Sequence, residues 1–66
     1  MRRKECKVGD LVQVTGLDDK VNGYTGVILK RKLFGAIVMW VMDDGDICIH
    51  WSVPYKKIYK KIGEIL

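Results

Sequence analysis

The sequence predicts an all-β fold, a single small and strongly bent β-barrel of five short strands, for a chain of 66 residues. Short segments rich in β-branched and aromatic residues recur along the chain, and clusters of glycine and aspartate separate them. The dipeptide Asp44-Gly45 stands between two apolar segments, which is a strong signal for a β-hairpin. A chain this short buries only about 60% of its unfolded surface. We therefore expect one domain, with a barrel over about residues 7–62 and a basic tail over residues 1–6.

The predicted elements follow one another with short connections. A turn at Val8-Gly9-Asp10 precedes the first strand, and Gly26 inside the second strand predicts a bulge or a sharp bend. The last segment fits a strand through the alternation of Ile58, Lys60 and Ile62, and fits a short turn or helix through the spacing of Tyr55, Ile58, Ile62 and Ile65. We favour the strand, because a fifth strand closes the sheet. The predicted strands are 11–15, 24–33, 36–43, 46–53 and 57–62, with a loop over 16–23.

Two stretches carry a resemblance to a known family. The segments Lys7-Val8-Gly9-Asp10-Leu11-Val12 and Gly23-Tyr24-Thr25-Gly26-Val27 resemble the opening of KOW-type or Tudor-type SH3-like barrels, including small stand-alone SH3-like proteins encoded by bacteriophages. The resemblance covers about residues 7–62 and implies that the five-stranded barrel is SH3-like. In KOW-containing proteins the first loop approaches RNA or a protein partner. Here Asp18 and Asp19 lie in that loop, and their charge disfavours RNA binding through it.

The register of the 36–53 hairpin depends on the length of its turn. A two-residue turn at Asp44-Gly45 pairs Trp40 with Ile49 and Val38 with Trp51, and predicts that both tryptophans are buried together. A longer loop with a bulge would instead turn the other side of the third strand inwards. In both registers the third strand is apolar on two faces, whereas a strand covered on one side alternates with polar residues.

The second apolar face is the main functional indication in the sequence. Either the tail or the early loop folds over it, or it meets another chain, because contiguous exposed apolar patches mark interaction sites. We expect a non-enzymatic binding or assembly module that associates with itself or with another protein. The predicted interface residues are Ile37, Met39, Val41, Cys48 and His50.

Clustered basic residues predict an alternative function. The net charge is +4, from 12 Lys and Arg against 8 Asp and Glu. Basic side chains interleaved with aromatic ones can bind phosphates and stack on bases, as in RNA-binding or DNA-binding accessory proteins. They can also form a solvated rim that keeps a small protein soluble. The predicted nucleic-acid-binding residues are Lys30, Arg31, Lys32, Tyr55, Lys56 and Lys57.

Several other classes of function are not expected. Cys48 and His50 lie two residues apart, but no third orienting group accompanies them, so we predict no catalytic residues. One histidine and two dispersed cysteines, Cys6 and Cys48, lack the ligand spacing of a zinc site, and we predict two free thiols, no metal and no cofactor. The longest uncharged run, Leu33 to Met42, is too short to cross a membrane. With no recognisable signal peptide, the expected location is the cytoplasm, that of the host if a phage encodes the chain.

Overall fold

The computed structural model describes residues 1–17, 19–21 and 23–64, apart from the side chain of Lys60. The described residues form one antiparallel sheet of five strands that curls into a half-barrel, which confirms the all-β prediction. The strands are β1 Asp10–Val14, β2 Thr25–Arg31, β3 Gly35–Val41, β4 Ile47–Pro54 and β5 Ile58–Glu64. Their order in the sheet is β4-β3-β2-β1-β5, so β4 and β5 are its two edges.

The last segment is a strand, as predicted, and it pairs with β1. Ile65, which belongs to the helical alternative, lies outside the described residues, as does Asp18 of the acidic first loop. The two described helical segments are single 3-10 turns of three residues each, and neither could span a membrane.

The core lies on the inner side of the curled sheet. Trp40 is its largest fully buried side chain, and inward positions alternate along β1, where Val12 and Val14 are buried while Leu11 and Gln13 are half-exposed. Among the described residues, no group accepts a hydrogen bond from the buried indole nitrogen of Trp40. The buried apolar residues are Cys6, Val12, Val14, Val21, Ile28, Ala36, Val38, Trp40, Val53, Tyr55 and Ile58.

Gly26 marks a close approach between strands, and the predicted bulge at this residue is wrong. Gly26 pairs in register with Val12 on one side and with Trp40 on the other, and the irregularity of the β2–β3 ladder falls between Ile28 and Lys30. A Cβ atom on Gly26 would lie 2.6 Å from Cγ1 of Val38 and 2.8 Å from the indole of Trp40. A glycine is needed here because the tryptophan ring occupies the space of a side chain.

The turn before β1 forms as the sequence predicts. Gly9 adopts a φ of 91°, and the backbone N–H of Lys7 donates to Oδ2 of Asp10 at 2.8 Å. Asp10 is buried, and its Oδ1 lies 3.5 Å from Nζ of Lys61 on β5. A hydrogen bond to Glu64, together with the charge of Asp10, raises the pKa of Lys61. The carboxylate of Asp10 therefore joins the turn to the last strand.

Residues 1–6 pack against the barrel instead of extending from it. Cys6 is fully buried, Met1 packs against the core, and the terminal amine donates to the carbonyl oxygens of Tyr55, at 3.0 Å, and Ile58. Cys6 and Cys48 are both free thiols, and burial raises the pKa of the Cys6 thiol. Cys6 is therefore part of the core, and its thiol is protonated at neutral pH.

Candidate functional site

The turn between β3 and β4 contains three residues, not the two that the sequence suggested. The N–H of Met42 donates to the carbonyl oxygen of Asp46 at 2.7 Å, and the N–H of Gly45 donates to that of Met42 at 2.9 Å. Gly45 has a φ of 88°, and the N–H of Asp46 donates to Oδ1 of Asp44 at 3.0 Å. This is the three-residue loop with a glycine in the left-handed conformation. The side chain of Asp44 stabilises it.

The extra residue shifts the pairing of β4 by one position. Trp40 pairs with Cys48 instead of Ile49, and Val38 pairs with His50 instead of Trp51. Because side chains alternate along a strand, this shift turns every side chain of β4 to the other side of the sheet. Trp51 is therefore 68% exposed while Trp40 is fully buried, and the prediction that both are buried together is wrong.

The outer side of β3 and β4 carries a continuous apolar surface, which we call the outer face. Val41 and Ile47 pair directly across the ladder, as do Met39 and Ile49. Exposure is 58% for Val41, 63% for Ile47 and 39% for Ile49, and Ile37 and Met39 are half-buried. The outer face consists of Ile37, Met39, Val41, Ile47, Ile49 and Trp51.

The outer face continues across the sheet as an apolar row. Ile49 pairs with Met39, Met39 with Val27, and Val27 with Leu11, so one line of apolar side chains crosses four strands. Val27 and Leu11 are half-buried, whereas Ile49 at the edge is more exposed. The apolar surface is therefore most accessible at the β4 edge.

Of the five predicted interface residues, three lie on the outer face and two do not. Ile37, Met39 and Val41 lie there together, whereas Cys48 and His50 belong to the inner side of β4. Cys48 packs against the core, and the His50 ring makes an edge contact of 5.3 Å with Trp40. The two-residue turn had placed all five residues on one side of the sheet, and the three-residue turn separates these two from the others. On β4 the outer face carries Ile47, Ile49 and Trp51 in their place.

The segments that could have covered the outer face pack elsewhere. In the early loop Val21 is fully buried and Leu17 packs against the core cluster. From residues 1–6, Cys6 and Met1 contact the same cluster. In the described part of the chain, the tail and the loop thus pack on the core, and the β4 end of the outer face remains exposed to solvent.

The N-terminal and central basic clusters meet at one end of the barrel. Nη1 of Arg31 donates to the carbonyl oxygen of Cys6 at 3.0 Å, and Nε of Arg3 donates to that of Lys32 at 3.2 Å. Arg31 thus holds the N-terminal segment in place. We call this surface the basic end, and its members are Arg2, Arg3, Lys4, Lys32 and Lys56. The predicted Lys30 lies elsewhere, since it pairs with Ile37 of the outer face.

The other predicted nucleic-acid-binding residues have structural contacts. Tyr55 is 8% exposed and its hydroxyl donates to the carbonyl oxygen of Lys32, so its ring cannot stack on a base. Nζ of Lys57 donates to the carbonyl oxygen of Gly16 at 2.5 Å. Phe34, which the predicted set omitted, is 84% exposed at the turn between β2 and β3, beside Lys32. The accessible aromatic ring at the basic end is therefore that of Phe34, whereas the prediction named Tyr55.

The remaining polar contacts are structural. The hydroxyl of Tyr24 donates to Oδ2 of Asp43 at 3.0 Å, and this hydrogen bond raises the pKa of Tyr24.

Over residues 1–17, 19–21 and 23–64, no three His, Cys, Asp or Glu side chains lie close enough to hold a metal ion. The arrangement offers two accessible surfaces, one apolar and one basic.

Comparisons of the chain with protein-family models, with curated proteins and with solved structures find no match. The outer face and the basic end are therefore the two features from which a function can be inferred.

Proposed function

We propose that this chain is a non-enzymatic assembly module of the small SH3-like barrel type that binds a protein surface, a second copy of itself, through the outer face. The observation that carries the proposal is the exposure of Val41, Ile47 and Trp51, between 58% and 68%, on one uncharged side of two neighbouring strands. Contiguous exposed apolar surface of this kind marks interaction sites. The barrel type follows from the resemblance of the Gly9-Asp10 segment, and a sheet in which β5 returns beside β1 is compatible with it.

Self-association also follows from the size of the chain. A domain of 66 residues has a small core, and oligomerisation is a common source of additional stability for such chains. Half-exposed isoleucine and tryptophan side chains gain from leaving water, since burial of a large apolar side chain contributes about 1.5–3 kcal/mol. Two-fold dimers are the commonest symmetric outcome.

Replacing Ile49 with lysine is expected to dissociate the assembly and leave the barrel folded. Ile49 lies in the centre of the exposed part of the outer face, and burying an ammonium group against apolar side chains is unfavourable. Sedimentation velocity at tens of micromolar should show the parent chain above its monomer mass of 7.6 kDa and the variant at that mass. We expect the association to weaken by at least about tenfold, which corresponds to 1.4 kcal/mol.

Ile62 provides a matched control for this experiment. It lies on β5, at the opposite edge of the sheet, and is 46% exposed against 39% for Ile49. Ile62→Lys makes the same chemical change and should leave the assembly intact. A parent chain that sediments as a monomer would contradict the proposal, as would equal loss of assembly in both variants.

Nucleic-acid binding is a second candidate function, because Phe34 is 84% exposed beside the basic end. Single-stranded nucleic acid is bound by basic grooves together with aromatic rings, and stacking contributes about 1–3 kcal/mol per base. The ring of Phe34 and the ammonium groups of Lys32 and Lys56 supply both components. Arg31 contributes less, because carbonyl oxygens of the N-terminal segment occupy its guanidinium group.

Fluorescence anisotropy with a labelled single-stranded oligonucleotide tests this candidate. Replacing Lys32 and Lys56 with glutamine should lower the slope of log K against log salt by about 1.4, or about 0.7 for each lost phosphate contact. Phe34→Ala should weaken binding without changing that slope. Lys20→Gln, which removes one positive charge from the exposed early loop, is the control and should have little effect. Absence of binding at low salt would contradict this second function.

A further inference from the structure

The two edges of the sheet differ in their protection against pairing with another chain. β5 carries Lys60, Lys61 and Glu64 within seven residues, whereas β4 has no Asp, Glu, Lys or Arg in eight. Charged side chains on an edge strand are one of the devices by which proteins prevent edge-to-edge association. The β4 edge lacks this device, and it is also the edge at which the outer face is most exposed.

The backbone of β4 presents hydrogen-bonding groups on its outer edge. The N–H of Met42 donates to Asp46, so these two residues form a hydrogen-bonded pair of the antiparallel ladder. Such pairs alternate with pairs whose backbone groups point away from the neighbouring strand. By this alternation the N–H and C=O groups of Ile47 and Ile49 point away from β3. Within the described residues, no strand pairs with that side of β4.

The regular part of this edge is short. The β3–β4 ladder is irregular between Ala36 and Val38, where Trp51 and Ser52 lie opposite Ile37. Pro54, which has no N–H, ends the strand. The segment available for pairing therefore runs from Ile47 to about Trp51, close to the usual length of a strand.

The charges at the two ends of β4 favour one direction for any pairing through this edge. Asp43, Asp44 and Asp46 precede the strand, and Lys56 and Lys57 follow it. If two copies pair antiparallel through β4, the acidic turn of each copy faces the basic segment of the other. Parallel pairing would place like charges together. Opposite charges across an interface accelerate association and specify register.

We propose that two copies of this chain pair antiparallel through their β4 edges and form one continuous ten-stranded sheet. This inference rests on the proposed association and places its contact at the β4 margin of the outer face, where Ile47, Ile49 and Trp51 of the two copies meet. The pairing satisfies the outward backbone groups of Ile47 and Ile49, and it brings the apolar side chains of the two β4 strands side by side. Cross-strand apolar pairs of this kind each contribute to the stability of the sheet.

Hydrogen exchange of the backbone amides tests the inference in the full chain. NMR of the ¹⁵N-labelled chain should show that exchange at Ile47 and Ile49 slows by at least about tenfold between low micromolar and several hundred micromolar concentration. Amides along β5 serve as the control at the other edge and should be unaffected. If the chain associates while the amides of Ile47 and Ile49 are not protected, the edge inference is wrong and the proposed function stands. If the chain does not associate at all, both are wrong.

A backbone substitution provides the second test. Ile49→Pro removes the outward donor, and the donor of Ile49 is not needed by the ladder with β3. We expect Ile49→Pro to lose association by sedimentation, while Ile49→Val, which retains the donor and an apolar side chain, remains assembled. A folded Ile49→Pro chain that still associates like the parent would overturn the inference. If the proline variant does not fold, the amide protection of the parent chain decides the question.

Discussion

Replacing Trp40 with alanine is expected to remove most of the stability of this domain. Trp40 is fully buried, and it packs against Gly26 and His50 from neighbouring strands. Truncation of a buried aromatic side chain costs about 3–5 kcal/mol, because the transfer free energy is lost and a cavity remains. Small domains have total stabilities near the lower end of about 5–15 kcal/mol. Urea unfolding followed by far-ultraviolet circular dichroism measures the loss.

Trp51 is the matched control for this substitution. It lies on the neighbouring strand and is 68% exposed, so Trp51→Ala should change the free energy of unfolding of the monomer by about 1 kcal/mol or less. The measurement is made at a concentration low enough to keep the chain monomeric, because Trp51 belongs to the outer face. Equal losses for the two tryptophans would show that the described register of β4 is wrong.

Replacing Gly26 with alanine is expected to destabilise the sheet by about 1–3 kcal/mol or more, although it adds a single methyl group. The new carbon would lie 2.6 Å from Val38 and 2.8 Å from Trp40. Both neighbours are fully buried, so neither can move without displacing the core. Overpacking of a well-packed core has a cost of this size. Thermal unfolding of the variant and the parent measures it.

Gly63 tests whether the effect is specific to Gly26. It also lies in a strand, and the nearest atom to an added Cβ is Cδ1 of Leu11 at 4.0 Å. Gly63→Ala should be neutral, or should stabilise the chain by up to about 1 kcal/mol through the lower entropy of the unfolded state. A Gly26→Ala variant as stable as Gly63→Ala would contradict the close packing of Trp40 over β2.

The strands were predictable because their residue patterns are local. β-branched residues with glycine and aspartate between them placed all five strands within a few residues of their observed bounds. The turn at Gly9-Asp10 was also predictable, because its interactions are local. Gly9 has a positive φ, and the carboxylate of Asp10 accepts the N–H of Lys7 three residues earlier. The alternation of apolar and basic residues over 57–62 correctly predicted the strand β5.

The faces of β4 were not predictable from the same pattern. The three-residue turn is stabilised by backbone hydrogen bonds of Met42 and Gly45 and by the side chain of Asp44, and the residue pattern does not distinguish it from a two-residue turn. Since β4 contains no Asp, Glu, Lys or Arg, neither register buries a charge, and hydrophobicity could not correct the error. Predicting that Trp51 is buried and that Cys48 shares a side with Met39 were two results of that one error.

The composition of the basic end depends on tertiary contacts that lie far apart in sequence. Arg31 binds carbonyl oxygens of residues 3 and 6, and this brings the N-terminal cluster to the β2–β3 turn. Tyr55 looked like an exposed aromatic beside two lysines, but its ring completes the core. Phe34 could have been found, since it lies in the short connection between two predicted strands and such connections run over the protein surface.

The pairing of β1 with β5 also has a consequence for how the chain folds. Asp10 pairs with Glu64 and Val14 with Ile58, so the ladder joins residues about fifty positions apart. Contacts between distant residues slow folding, because the loop between them must close before the contacts form. During synthesis β1 can pair with β2 early, but its other side waits until β5 has left the ribosome. Until then the free side of β1 is an open edge of the nascent sheet, and in the folded chain β5 covers it.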